Sequence, residues 1–331
     1  MKSMKAWSQL SEFRERKSST PSVWHVVMGK TTKSIAELPG GEEAQYFLKV
    51  ITIGTGKHMC EGEFESLKAI YAVSPGFVPK PYAWGKYKQE DPETYFLLAQ
   101  FRDVGKQPAN PVTLAAALAE MHQKSVSPTG KFGFHIATCH AKIAHTWEDS
   151  WCALYTRHLG HVMDLAMPIL NWPESDLRNH LGHVMNIAKA ILNWPEFDLV
   201  CKLTLEKVVP RLHLRLQADG RVLKPCLIHG DCWDSQGNTA MDMRTDQAFV
   251  FNECSFYGHN EFDTGNWRAP RHRLSNKAYI KEYKKRFPVS EPEKDWDARN
   301  LLYSLTFNIG NIIYIPGSSQ RQVVYDDMTE L

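Results

Sequence analysis

The chain has 331 residues, 43% hydrophobic and 23% charged, with a formal net charge of +2. This length holds one large domain or two modest lobes with a sizeable core, and the ordinary composition excludes a disordered, fibrous or disulfide-scaffolded protein. A near-neutral charge without a long basic run gives no electrostatic footprint for nucleic acid, so no nucleic-acid partner is expected.

In chain order, residues 1–20 are polar and lack the apolar core of a leader peptide, and no stretch approaches the roughly 20 apolar residues of a membrane span. The segments VWHVVMG and KSIAEL, the turn PGGEE and the strand AQYFLKVITIG predict a hairpin. KHMCEGEFESLKAIYAV carries Met59, Phe64, Leu67, Ile70 and Tyr71 at helical spacing. A short strand in PYAWGKY and a buried one in ETYFLLAQF complete a β-rich N-lobe, residues 1–102. From 103 to 331 the text is mostly helical: PVTLAAALAEMHQKS with Pro111 in its first turn, a helix-rich stretch from Trp147 to about Leu216, and closing helices in NKAYIKEYKKRF and DWDARNLLYSLTFNIGNII. A small strand cluster around KPCLIHGD and AFVFNE lies between them. Seven scattered cysteines without a CxxC pair fit a reduced, cytoplasmic protein with no membrane partner.

A tandem duplication stands out. HLGHVMDLAMPILNWPESDL (158–177) recurs as HLGHVMNIAKAILNWPEFDL (180–199), alike at fifteen of twenty positions with an offset of 22. Two copies are too few for a solenoid. The pairs His158/His161 and His180/His183 have no acidic or Cys partner nearby in sequence, so they read as packing or surface histidines rather than metal ligands.

Phosphoryl transfer needs phosphates held, metal bound, an acceptor hydroxyl positioned and a base beside it. Lys49 on a strand and Glu63 on the following helix have the order of a phosphate-clamping pair. Taken alone, a strand lysine and a helix glutamate are more often surface charges. Asp231, in HGDCWDSQGN, follows a strand and stands where a general base belongs; a turn closed by Gly and Asp is the plainer reading. A downstream amide, a hairpin and then Asn252-Glu253 favour the base.

The segments YFLKV, GEFESLKAIYAVSPGFVPKPYAWGKY, TYFLLAQF, LAEMHQKSVSPTGKFGF, KPCLIHGDCW, SFYGHNEFD and WRAPRHRL resemble the fructosamine kinase (ketosamine 3-kinase) family. The likeness is greatest to its fungal protein-ribulosamine 3-kinase members and runs from about Trp24 to Arg321. The resemblance implies an α+β, protein-kinase-like two-lobe fold of the aminoglycoside-phosphotransferase type. It also implies ATP- and Mg²⁺-dependent phosphorylation of the sugar 3-hydroxyl of ketoamines, ribulosyl- or fructosyl-lysine, on glycated proteins or small molecules, leading to deglycation. By position, Asp231 is then the base and Lys49 with Glu63 the clamp. Ala99, Gln100 and Phe101 form the adenine-facing hinge, and Trp233, Tyr257, His259 and Glu261 lie near the sugar. For Trp233 and Tyr257, core packing is the alternative.

Three departures from the family pattern bear on metal and turnover. The family places its metal-binding Asn five residues after the Asp; here Asn238 is seven after Asp231, with Gln236 at plus five. Asn252, a neutral ligand, replaces the metal-binding Asp, and strand alternation places Glu253 on the opposite face. The phosphate loop VMGKTTKS has one glycine. Asn238, Gln236 and Asn252 are therefore the candidate metal ligands, and a pseudokinase of the same fold is the alternative function.

Overall fold

The computed structural model describes residues 29–38, 41–52, 54–88, 91–138, 142–170, 195–234, 238–314 and 320–331. The strand expected before Gly29, Gln236 and most of the second repeat copy lie outside the described residues. The predicted hairpin is present: β1 (Lys30–Glu37) runs antiparallel to β2 (Glu43–Ile51), with Lys30 opposite Val50 and Glu37 opposite Glu43. With β3 (Pro81–Lys86) and β4 (Tyr95–Gln100) they form one antiparallel sheet in the order β1-β2-β4-β3.

Helix α1 (Gly56–Val73) packs on this sheet. Met59 and Cys60 join Ile51, Tyr95 and Leu97 in a small core, while Leu67 and Ile70 enter the main one. Fully burying a Leu or Ile side chain contributes about 1.5–3 kcal/mol, so these residues fix the helix and, with it, the placement of Glu63.

Beyond the sheet, Arg102 donates to Asp242 Oδ2 (3.2 Å) and to the Val78 carbonyl (3.1 Å). It thereby ties the end of β4 to the later strands. Helix α2 (Pro111–Lys124) starts with proline at its first position, and the Asn110 side chain accepts from the Val112 N–H at 2.9 Å. Helices α3 (Trp151–Leu170), α4 (Pro195–Leu203) and α5 (Val209–His213) follow. They pack with α6 (Lys277–Lys284), α7 (Trp296–Tyr314) and α8 (Gln320–Glu330).

The central packing is aromatic: Trp151, Tyr155, Phe256, Phe262 and Tyr303 are fully buried, and the Trp151 indole N–H donates to the Tyr303 hydroxyl at 2.9 Å. His158 belongs to this packing, its ring 5.4 Å from that of Phe256, and His161 bonds the Lys142 carbonyl. His180 and His183, the second pair, lie outside the described residues. Two short antiparallel pairs carry the site: β5 (Cys226–Ile228) with β8 (Phe256–Gly258), and β6 (Thr239–Met241) with β7 (Ala248–Val250).

Candidate active site

Strand β5 ends at Ile228 and delivers His229-Gly230-Asp231 into a loop that is held from two sides. On one side Asp263, fully buried, accepts the His229 N–H on Oδ2 and the Gly230 N–H on Oδ1, both at 2.8 Å. His122 Nε2 lies 3.1 Å from the same carboxylate. On the other side the Cys254 N–H donates to the His229 carbonyl at 2.9 Å. His229 Nδ1 accepts the Asp231 N–H (3.2 Å), so its Nε2–H donates to the Phe251 carbonyl (3.1 Å). Burial holds its pKa below the ordinary value, which keeps this ring neutral. Gly230 has φ +85°, and a Cβ there would stand 2.1 Å from the Cys254 carbonyl oxygen. Only glycine fits this close approach.

Asp231 is half-buried and accepts three side-chain hydrogen bonds. Trp233 Nε1 (3.1 Å) and Asn238 Nδ2 (2.8 Å) bind Oδ2, and Asn266 Nδ2 (3.2 Å) binds Oδ1. Burial pushes its pKa up to about 6, against the pull of the Trp233 and Asn238 hydrogen bonds. At pH 7 it is an anion with raised basicity, and Oδ1, with a single donor, is the less saturated oxygen. This is the arrangement of a general base poised near neutral pH.

Across the site, Lys49 Nζ and Glu63 Oε2 pair at 2.6 Å, both side chains largely buried. Burial alone would lower the Lys49 pKa; Glu63 outweighs it, and the ammonium is held above its ordinary value. The order strand lysine, helix glutamate thus becomes an actual pair. Ala99 is buried in β4, opposite Phe47 of β2. Gln100 gives its backbone N–H to the Lys80 carbonyl (2.8 Å) and accepts the Lys80 N–H on its side chain (3.2 Å). Lys33 Nζ sits 4.4 Å from the Phe101 ring centroid.

The geometry after β7 corrects one expectation. The strand stops at Val250, and Asn252 takes φ +57°, so strand alternation does not govern Glu253. Glu253 is 4% exposed. Burial, and then the charge of Glu63, drive its pKa well above the carboxylate range, with Lys49 pulling the other way. It is thus within electrostatic reach of Lys49 and Glu63. Its Oε1 is buried without a hydrogen-bond partner among the described residues.

The expected Mg²⁺ ligands are only half assembled. The β6–β7 hairpin sets Asn238 and Asn252 side by side, with Asn252 Nδ2 donating to Asn238 Oδ1 at 3.4 Å, while Asn238 Nδ2 serves Asp231. Two neutral amides supply no carboxylate, and among the described residues no group of three or more His, Cys, Asp or Glu is placed to hold a metal. Mg²⁺ is normally bound through one or two carboxylates plus substrate phosphates. This donor set does not fit a protein-held Mg²⁺, because the charge expected at 252 is absent.

The residues expected near the sugar divide. Trp233 is beside Asp231, its ring 5.2 Å from that of His272. Tyr257 is buried in β8 with its ring 6.1 Å from Trp147, a packing role. His259 is fully buried, with Nδ1 bonded to the Tyr303 hydroxyl (2.7 Å) and Nε2 to Ser290 Oγ (2.8 Å). Glu261 is closed into an ion pair with Arg299 (Nε to Oε2, 2.8 Å) and accepts the Ser290 N–H at 2.9 Å. The structure does not bring His259 and Glu261 to Asp231; both are spent on anchoring the segment around Ser290. Sequence reasoning missed Asp263 and Asn266. Their signal lies in the run EFDTGN: Asp263 closes the recognised segment SFYGHNEFD, and Asn266 follows three residues later.

A family model described as fructosamine kinase matches residues 3–322. The chain belongs to this family. It is 27% identical over 263 residues to the chloroplastic protein-ribulosamine 3-kinase of Oryza sativa subsp. japonica, covering 74% of this chain and 66% of that protein. The chain thus spans slightly under two thirds of that relative's length. Among solved structures, a putative fructosamine-3-kinase from Haemophilus somnus aligns with a TM-score of 0.66 at 16% identity, over 96% of this chain and 91% of that one. Spectinomycin phosphotransferase, solved with ADP and spectinomycin, aligns at 0.50 and 11% identity over 96% and 88%. At these identities the structures establish the fold, which is the kinase-like fold of the fructosamine kinase family and the aminoglycoside phosphotransferases. The Oryza sativa relative is a plant protein. No helix among the described residues is long and apolar enough to cross a membrane.

Proposed function

We propose that this fructosamine kinase family member transfers the γ-phosphoryl group of ATP to the sugar 3-hydroxyl of ketoamines, ribulosyl- or fructosyl-lysine, on glycated proteins, which leads to deglycation. The observation that carries the reading is Asp231: a carboxylate at a strand end, held by three side-chain donors, with one less saturated oxygen and a pKa near 6, in the same site as a buried Lys49–Glu63 pair. Family membership supports the substrate class.

In this reading Asp231 Oδ1 takes the proton of the attacking hydroxyl as the new oxygen–phosphorus bond forms and the bond to ADP breaks. Such a base contributes about 10²–10⁴-fold. Lys49, oriented by Glu63, holds the donor phosphates, and residues 99–101 at the end of β4 face the adenine. Mg²⁺ would enter with the nucleotide rather than on protein carboxylates. We place the boundary between the lobes near residue 102, where Arg102 anchors the exit from β4. We also assign the protein to a reducing compartment, the cytoplasm, because its seven cysteines are scattered without a CxxC pair.

The test is ADP release on adding a ribulosyl-lysine peptide, with choline and an aminoglycoside as control acceptors. The expected result is release that depends on the ketoamine and falls at least 100-fold in Asp231→Ala. Equal release with the control acceptors, or no difference between the two proteins, contradicts the reading.

A further inference from the structure

Helix α6 has two unlike faces. Tyr279 and Tyr283 are buried against the core, the Tyr279 hydroxyl donating to the Ala109 carbonyl at 2.6 Å. Lys277, Ile280, Lys281, Lys284 and Lys285 follow the i, i+3, i+4, i+7, i+8 pattern of a single helix face. That face walls an open cavity of about 660 Å³, whose other sides are formed by Trp267, Leu274 and Trp296. A lysine-bearing helix face is ordinarily just solvated. Here the lysines rim an apolar floor with two indoles, and Lys284 Nζ lies 3.1 Å from the Trp296 ring centroid.

The charges are unbalanced. Lys285 pairs with Glu282 at 2.5 Å, and Arg268 with Asp297 at 2.8 Å. Lys277 and Lys281 make no ion pair among the described residues. The groove also adjoins the catalytic loop. Its floor residue Trp267 donates Nε1–H to the Cys232 carbonyl at 3.1 Å, and its neighbour Asn266 touches Asp231.

We propose that this groove docks an acidic polypeptide segment bearing an aromatic or aliphatic side chain, carried by the protein whose glycated lysine is to be phosphorylated. The carboxylates meet Lys277 and Lys281, and the apolar side chain enters between Trp267 and Trp296. The proposal rests on the reading that the ketoamine acceptor is protein-bound. A free ketoamine, lacking such a segment, does not use the groove.

The test uses the full chain and an unglycated, fluorescein-labelled peptide of Glu, Leu and Phe, with a second peptide in which Gln replaces every Glu. By fluorescence anisotropy, the acidic peptide binds and its affinity falls with salt. The expected loss is at least tenfold in Lys277→Glu/Lys281→Glu and about threefold in Lys277→Gln/Lys281→Gln, since reversal adds repulsion to the lost attraction. In parallel, KM for a ribulosylated acidic peptide rises in the charge-reversed variant, while kcat and KM for free ribulosyl-lysine stay unchanged. Unchanged peptide affinity in that variant overturns the proposal. So does equal affinity for the Gln peptide, or tighter binding of an RNA oligonucleotide of equal charge. Absence of any ketoamine phosphorylation sinks the activity reading alone; the anisotropy arm still decides the groove.

Discussion

At Asp231 the two oxygens are inequivalent, and that difference makes the residue testable. Burial raises its pKa from 3.8 to about 6, so the anion needed for proton abstraction populates as pH rises through 6. The plot of kcat/KM against pH should show an acid limb near 6 and a plateau above it. A limb near 4, or none, would mean that another group is the base. For stability the sign is reversed. A folded pKa above the unfolded one contributes stability that is fully present below about 3.8 and lost as pH rises through 6. Asp231→Asn should therefore melt at or above the wild-type temperature at pH 8 while being inactive, a trade common at active sites. Asn266 supplies the donor to Oδ1. Asn266→Ala should lower kcat about tenfold and move the acid limb upward, because a hydrogen bond to the ionised form is removed. A lowered kcat with an unmoved limb would reduce Asn266 to a packing role.

At the scale of elements, the loop that carries Asp231 is a crossing point between β5, the turn after β7 and the Asn260–Arg268 segment. Its geometry is set by Asp263 and by the absence of a side chain at Gly230. Gly230→Ala introduces both a left-handed strain of about 1–2 kcal/mol and a backbone clash with Cys254. It should cost about 2–4 kcal/mol in urea unfolding, and a loss below 0.5 kcal/mol would show that the loop is not pinned there. The turn after β7 holds two neighbours with opposite tasks. Asn252 adjoins Asn238 without charge, and Glu253 is buried. Asn252→Asp restores a carboxylate at the hairpin end, and titration calorimetry of Mg²⁺ in the presence of a non-hydrolysable ATP analogue should show about tenfold tighter binding. Unchanged affinity would mean that position 252 does not face the metal.

These elements were legible in the sequence to different depths. The hairpin, the helix carrying Glu63, and the β5 strand with its His-Gly-Asp turn follow from alternation, helical spacing and turn residues, and all are present. The direction of Glu253 was not legible, because a left-handed Asn252 breaks the alternation on which the expectation rested. His259 and Glu261 were misplaced for a different reason. Polar residues beside a recognised motif look like ligand contacts, yet their partners Tyr303, Ser290 and Arg299 come from 29–44 residues away in the chain. Asp263 was missed because its task is to bind backbone N–H groups at 229 and 230, and no pattern along the chain encodes such a contact.

For the whole molecule, the order sheet, helix, sheet, helices was readable from the change in periodicity near residue 102, and the fold agrees with that of the structural relatives. Helix α8 was not anticipated; in QRQVVYDDMTE only Val324 and Met328 are buried, too weak a periodic signal. The molecule keeps the family's fold, with Asn252 where the sequence resemblance expects a carboxylate, and in the proposed function phosphoryl transfer rests on Asp231 and the Lys49–Glu63 pair. The direct measurement is mass spectrometry and ³¹P NMR of a ribulosyl-lysine peptide incubated with ATP, Mg²⁺ and the protein. The expected product carries a single phosphate on the sugar 3-hydroxyl and is absent with Asp231→Ala; an unmodified peptide, or the same product from both proteins, would rule out transfer through Asp231.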